Sequence, residues 1–208
     1  AQKMRARAAR SDMQSMNTQN EAYLNFKDES IFVGYNTLEI ESKILGLFNN
    51  DSFLTQASGN VVVVCKETSF YAEMGGQVGD QGVLVHNGET FKVINTFKLP
   101  NGQHAHIVSL DNHTLHVGDY VTLKVDEEFR NNVCSNHSAT HLLNESLRKV
   151  LGSHVVQQGS LVTDERLRFD FNHYNNLTNE EILSIESLVN VQINNSLEVK
   201  TLELSKEE

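Results

Sequence analysis

Between residues 30 and 125 the chain divides into seven short runs rich in Val, Ile, Phe and Tyr, at 30–35, 42–48, 60–65, 82–86, 90–99, 104–110 and 120–125. Turn residues separate them. β-branched and aromatic residues suit a pleated, half-buried surface, and many short strands with turns between them predict a small β-barrel. Asn87-Gly88 and Asn101-Gly102 are the strongest turn signals, and the first predicts a hairpin. The run Leu115-His-Val-Gly-Asp-Tyr120 predicts a turn that opens the last strand. No internal repeat or low-complexity stretch interrupts the pattern.

After Asp126 the pattern becomes helical. Residues 127–151 form one predicted helix, with Leu142, Leu143, Leu147, Val150 and Leu151 as its buried stripe. His137, His141, Asn144 and Arg148 fall on a different face, and Gly152 is a suitable stop. Strands are expected near 154–162 and 166–172. Thr178-x-x-Glu181 is a capping box that opens a second helix to about 195, and 197–204 reads as a closing strand. Residues 1–24 carry Arg, Ala, Met and Gln without Gly or Pro, and read as a helix whose poor apolar face needs a partner outside this chain. The expected class is therefore α+β: an N-terminal helix over 1–24, a small β-barrel over 25–125, and an α+β unit over 126–208.

Composition narrows the setting. The 208 residues are 39% hydrophobic and 21% charged, as in a globular chain with a real core. The longest purely apolar run, 61–65, is far too short to cross a bilayer, and no apolar stretch follows the basic N-terminus as a secretory signal requires. Two cysteines, Cys65 and Cys134, make no disulfide framework, so a reducing cytoplasm is the simplest compartment. Net charge is −10, opposite to the usual footprint of a nucleic-acid binder. Only the first ten residues are basic, with Lys3, Arg5, Arg7 and Arg10. RNA contact by this piece alone is expected to be weak.

Two motifs can carry chemistry. In His137-Ser-Ala-Thr-His141 the imidazoles return to nearly the same helix face about 6 Å apart along the axis, which reads as half of a metal site. In the HExxH proteases the position after the first histidine holds a glutamate base; here it is Ser138, so peptide hydrolysis by that route lacks its base. Cys134, three residues earlier, is a further candidate ligand, although a buried structural cysteine is the commoner fate. The second motif is Gly75-Gly-Gln-Val-Gly-Asp80. Its glycines permit unusual torsions and close approach, but it lacks the Lys and Ser/Thr of a phosphate-binding loop. A plain glycine turn between strands is the competing explanation. Gln157, Gln158 and Ser160 lie on or near the following strand.

Taken together, these residues resemble one family. Thr68-Ser-Phe-Tyr-Ala-Glu-Met-Gly-Gly-Gln-Val-Gly-Asp80 resembles the glycine-rich motif of alanyl-tRNA synthetases and their stand-alone editing relatives. Asn136-His-Ser-Ala-Thr-His-Leu-Leu143 resembles their first metal half-motif. His154-Val-Val-Gln-Gln-Gly-Ser-Leu-Val162 and Leu167-Arg-Phe-Asp-Phe171 are similar to the next two strands. Phe32 to Glu39 resembles the lead-in to the barrel, and Gln2 to Arg10 the helix before it. The likeness covers nearly the whole chain, in order.

The resemblance implies that His137 and His141 are zinc ligands, completed in the family by a later Cys-x-x-x-His that does not follow Asn172 here. The expectation is a fragment: barrel plus the first part of an editing domain, with an incomplete zinc site and little activity of its own. ATP-dependent alanine activation would belong to an upstream domain. The implied reaction is hydrolysis of Ser-tRNA(Ala) and Gly-tRNA(Ala), with the acceptor end of tRNA(Ala) and the mischarged ester as partners and no membrane. Thr140, Gln157 and Ser160 are the expected pocket residues, with Thr140 reading the seryl hydroxyl. Gly75, Gly76, Gln77 and Asp80 are expected to position the tRNA end or to pack the barrel against the editing domain. A stand-alone trans-editing deacylase and a non-catalytic RNA-binding module are the alternatives. Threonyl-tRNA synthetase shares the HxxxH half-motif, but the glycine motif fits it less well.

Overall fold

The structure is a computed structural model that describes residues 20–49, 52–196 and 198. It divides into two compact units: the described residues up to Val133 together with Thr163–Glu165, and Cys134–Val162 together with the described residues from Arg166 onward.

Among its described residues the first unit contains eleven strands: β1 (Ile31–Phe32), β2 (Glu39–Asn49), β3 (Ser52–Leu54), β4 (Gln56–Ala57), β5 (Asn60–Cys65), β6 (Glu67–Thr68), β7 (Gly82–His86), β8 (Glu89–Lys98), β9 (His104–Ser109), β10 (Leu115–His116) and β11 (Tyr120–Val125). Six of them close a barrel in the order β11-β7-β8-β9-β5-β2, because β11 also pairs with β2, Tyr120 opposite Lys43 through Lys124 opposite Glu39. Closure removes the unpaired edges of the ring. The eleven-residue β2 makes it possible: its first half pairs with β11 and its second half with β5, with a register shift between Ile44 and Gly46. A second shift, between Val93 and Asn95, inverts the alternation of β8. Phe91 and Val93 point inward before it, Ile94 is left exposed, and Thr96 points inward after it. Asn87 (φ 52°) and Gly88 (φ 81°) form the expected two-residue hairpin between β7 and β8.

One apolar cluster, including Ile44, Leu47, Val63, Leu84, Val93, Val108 and Leu123, fills the barrel. A second joins Tyr23 and Phe26 to Phe48, Val64, Leu99 and Ala105. Tyr23 lies in the helix Glu21–Asn25, whose N-cap Asn20 accepts from the Ala22 and Tyr23 amides. Asn20 is extended and opens this helical turn; the rest of the helix expected over 1–24, residues 1–19, lies outside the described residues. The far end is held by side chains: Asn101 Nδ2 donates to the carbonyls of Tyr23, Leu24 and Phe26, and Gln103 Nε2 to those of Phe26 and Asp28. The strand expected over 30–35 is reduced to β1, because the chain turns at 34–36, where Gly34 lies against the Ser69 carbonyl.

The helix Glu127–Leu151 has the expected bounds. Asp126 caps it, its carboxylate accepting from the Phe129 amide, and Gly152 (φ 113°) ends it. In the second unit Leu147, Val155 and Ile185 form the core, with Leu143, Val150 and Leu151 half-buried around them. Leu142, expected in that stripe, is half-buried and lies outside the cluster. β12 (Gln157–Val162) and β13 (Leu167–Phe171) pair antiparallel. β12 starts three residues later than expected, because Asn172 holds 154–156 through side-chain bonds to the Val156 amide and the His154 carbonyl. The capping box at Thr178 and Glu181 is present and opens the helix Asn179–Asn194. The strand expected over 197–204 falls outside the described residues, apart from Glu198.

A polar relay crosses the barrel interior. The Phe70 amide donates to Thr68 Oγ1 (3.0 Å), and the Thr68 hydroxyl meets His106 Nε2 at 2.8 Å. Val63 O accepts from His106 Nδ1 at 2.8 Å. Every polar atom of the ring is thus used in its neutral form, and burial pushes the His106 pKa down to about 4. Below about pH 6.5 the unfolded chain takes up a proton that the native ring refuses, so stability falls as pH drops and the loss levels off near pH 4. The full term is roughly 3 kcal/mol. In urea titrations between pH 7 and 4.5, His106→Gln is expected to be less stable at pH 7 yet to lose less stability on acidification; equal slopes would refute this.

Candidate functional site

The glycine motif folds around a buried carboxylate. Gly75 (φ 64°) and Gly76 (φ 92°) form a tight turn closed by reciprocal bonds between Met74 and Gln77, a backbone that only glycine adopts easily at both positions. Met74 and Gly75 are exposed at its tip. Gly79 lies so close to β8 that a Cβ there would sit 1.9 Å from the Thr96 carbonyl. Asp80 then turns inward and is wholly buried. Its Oδ2 accepts from the Tyr71 amide (2.6 Å), and its carbonyl accepts from the Thr96 hydroxyl (3.0 Å).

Arg130, in the first turns of Glu127–Leu151, supplies the counter-charge. Its Nε donates to both carboxylate oxygens of Asp80 at 2.9 Å, and Nη2 also donates to Oδ2. Nη1 donates to Gly34 O (3.0 Å) and Nη2 to Ser69 O (2.8 Å). One guanidinium therefore ties the helix start to three barrel segments. The plain glycine turn is realised in this geometry, and the Asp80 carboxylate is committed to Arg130. The residue alone did not reveal this. A cation near a helix N-terminus opposes the macrodipole, and that was the available signal that Arg130 has a specific partner.

Further along the same helix, His137 Nε2 and His141 Nε2 converge to 3.0 Å, with ring centroids 5.0 Å apart. Burial, with the neighbouring charge of His141, lowers the His137 pKa below its ordinary value, which favours the neutral ring. Two nitrogens on one tetrahedral zinc at about 2.0–2.1 Å lie about 3.3 Å apart, so the pair is within a few tenths of an ångström of a bidentate arrangement. One turn on, the buried Asn144 Oδ1 has no hydrogen-bond partner among the described residues. The donor set thus fits two zinc ligands. Among the described residues no group of three or more metal-capable side chains forms, and Cys134 is exposed on the helix without completing such a group.

Thr140 is buried, and its hydroxyl donates to Asn136 O (2.8 Å). Its remaining capacity is to accept. Gln157 and Ser160 are brought together on β12, Gln157 Nε2 donating to Ser160 Oγ at 3.1 Å.

The barrel and the glycine motif fall within the residues that one family model matches. The class described as tRNA synthetases class II (A) matches residues 1–129, and the chain belongs to that family. It is 43% identical over 200 residues to the alanine–tRNA ligase of Bacillus velezensis, covering 95% of this chain and 23% of that protein. With the enzyme of Listeria monocytogenes serovar 1/2a it shares 46% over 194 residues, covering 92% and 22%. With that of Alkaliphilus oremlandii it shares 41% over 211 residues, covering 100% and 24%. The chain spans less than a quarter of the length of these relatives. No helix among the described residues is long and apolar enough to cross a membrane.

Removing one partner of a buried ion pair leaves the other charge stranded, at a cost of about 3–5 kcal/mol. Arg130→Ala is expected to destabilise the barrel unit by that order in urea unfolding. Arg130→Lys keeps the charge but loses the fork to Gly34 and Ser69, and should fall between. An Arg130→Ala protein within 1 kcal/mol of the unsubstituted chain would contradict the staple.

Proposed function

We propose that this chain is the editing region of an alanine–tRNA ligase, acting in the cytoplasm, which in the whole enzyme hydrolyses Ser-tRNA(Ala) and Gly-tRNA(Ala). The observation that carries the reading is the convergence of His137 and His141 to 3.0 Å on one helix face, in a chain similar to alanine–tRNA ligases over nearly all its length. ATP-dependent attachment of alanine would belong to the remainder of the parent protein.

His137 and His141 would hold a zinc ion, which when bound supplies Lewis acidity or a water of lowered pKa. The chain's own residues would do the sorting. Because the Thr140 proton is engaged by Asn136, its oxygen can only accept, and a seryl hydroxyl is a donor of the right kind. Alanine's methyl group offers no such donor, and a polar mismatch of this kind can discriminate on the order of 10⁴. Gln157, held by Ser160, keeps its amide oxygen available to accept from the amino group of the ester. The turn at Gly75–Gly76, exposed at Gly75, would meet the tRNA acceptor end with its backbone, while Asp80 fixes the loop behind it. This logic covers serine and leaves the removal of glycine to another feature.

Two imidazoles hold zinc more weakly than four ligands, so the chain by itself is expected to deacylate Ser-tRNA(Ala) little. In the whole ligase, His141→Ala should abolish deacylation while aminoacylation persists. Thr140→Val should narrow the preference for Ser-tRNA(Ala) over Ala-tRNA(Ala) by at least tenfold. Deacylation at the unsubstituted rate by His141→Ala would overturn the editing assignment.

A further inference from the structure

The barrel unit carries a second histidine pair, remote in sequence from the first. His86 ends β7 and His113 lies in the loop after β9. His86 Nδ1 and His113 Nε2 stand 2.8 Å apart, with the rings nearly perpendicular at 83° and their centroids 5.1 Å apart. Each ring's other nitrogen faces a carboxylate. His86 Nε2 is 3.6 Å from Asp119 Oδ2, and His113 Nδ1 is 3.5 Å from Glu89 Oε2. Asp119 is itself fixed, since its Oδ2 accepts from the His116 amide at 2.8 Å, and the His116 ring lies 3.5 Å from the same oxygen. Phe91 packs on His113 with centroids 4.6 Å apart. The two imidazoles are mostly buried, 11% and 16% exposed.

The tautomers decide what this cluster can do. If each imidazole directs its N–H at its carboxylate, two lone pairs face one another at 2.8 Å, which is repulsive without a cation between them. Carboxylate–histidine pairs are the usual outer shell of a bound transition ion, because the carboxylate fixes the tautomer and raises the basicity of the ligating nitrogen. Here a carboxylate oxygen stands beside each ring, at 3.6 and 3.5 Å, and a shift of about half an ångström would bring each into hydrogen-bond range. An ion at about 2.0–2.1 Å from each nitrogen needs them about 3.3 Å apart, so the rings would separate by about half an ångström. No third metal-capable side chain joins them among the described residues, so water would complete the coordination.

We propose that His86 and His113 form a binding site for a borderline divalent transition ion such as Zn²⁺ or Ni²⁺, with Asp119 and Glu89 orienting the two ligands. The ion would clip the β7–β8 hairpin to the loop after β9. The site is independent of the editing assignment and shares no residue with it.

The test uses the chain stripped of metal with a chelator and then titrated with ZnCl₂. His86→Ala and His113→Ala should each lower the number of zinc ions bound by one, measured in a His137→Ala/His141→Ala background that removes the helix pair; the His154–His173 pair, 2.9 Å apart, is kept in every variant and cancels in the difference. Asp119→Asn should weaken the site about 10–100-fold. In case the alanine variants unfold, ¹⁵N spectra of the histidine side chains in the unsubstituted chain give a second readout. Zinc should move His86 Nδ1 and His113 Nε2 rather than their other nitrogens. Unchanged stoichiometry in folded variants, or no movement of these two resonances, would overturn the proposal and show that the pair is joined by a shared proton alone.

Discussion

A single buried carboxylate organises the barrel unit. Asp80 has no access to solvent, and a charge placed there is tolerable only if every lone pair is matched. The Tyr71 amide and the Arg130 guanidinium match them. Meeting this demand fixes the end of the glycine motif, the course of the chain at Gly34 and Ser69, and the starting point of the helix Glu127–Leu151. That helix later carries His137 and His141.

Histidine is used in this chain in distinct physical ways. His106 is a neutral strut whose two nitrogens are both spent on the barrel interior. His104 is similar: its Nδ1 meets the Phe70 carbonyl, its ring stacks on Phe32, and burial lowers its pKa. His137 with His141, and His86 with His113, instead leave nitrogens pointing at each other. Residue type says nothing of this difference; the environment of each ring decides whether a lone pair is available.

Much of the fold was legible in the sequence because the signals were local. Strands 60–65, 82–86 and 120–125 and the helix 127–151 follow from β-branched runs, an Asn-Gly turn, a capping aspartate and a terminal glycine, all acting within a few residues. The capping box at Thr178 is of the same kind. The histidine spacing was legible too, since four residues on a helix suffice to bring two rings together. Asn101 was legible only as a turn residue, and its larger role, holding the carbonyls of Tyr23 and Leu24 in the helix Glu21–Asn25 and of Phe26 at its cap, spans more than seventy positions. Arg130 and the His86–His113 pair were missed for the same reason.

By itself, then, the sequence determined the barrel strands, the long helix and the juxtaposition of His137 with His141, since periodicity and capping are properties of neighbouring residues. Tertiary structure alone decided that Asp80 is spent on Arg130, that β2 changes partner at Ile44 and Gly46 to let the barrel close, and that His86 meets His113. Those outcomes depend on which distant groups burial brings together, and on the rule that a charge or lone pair removed from water must find a partner.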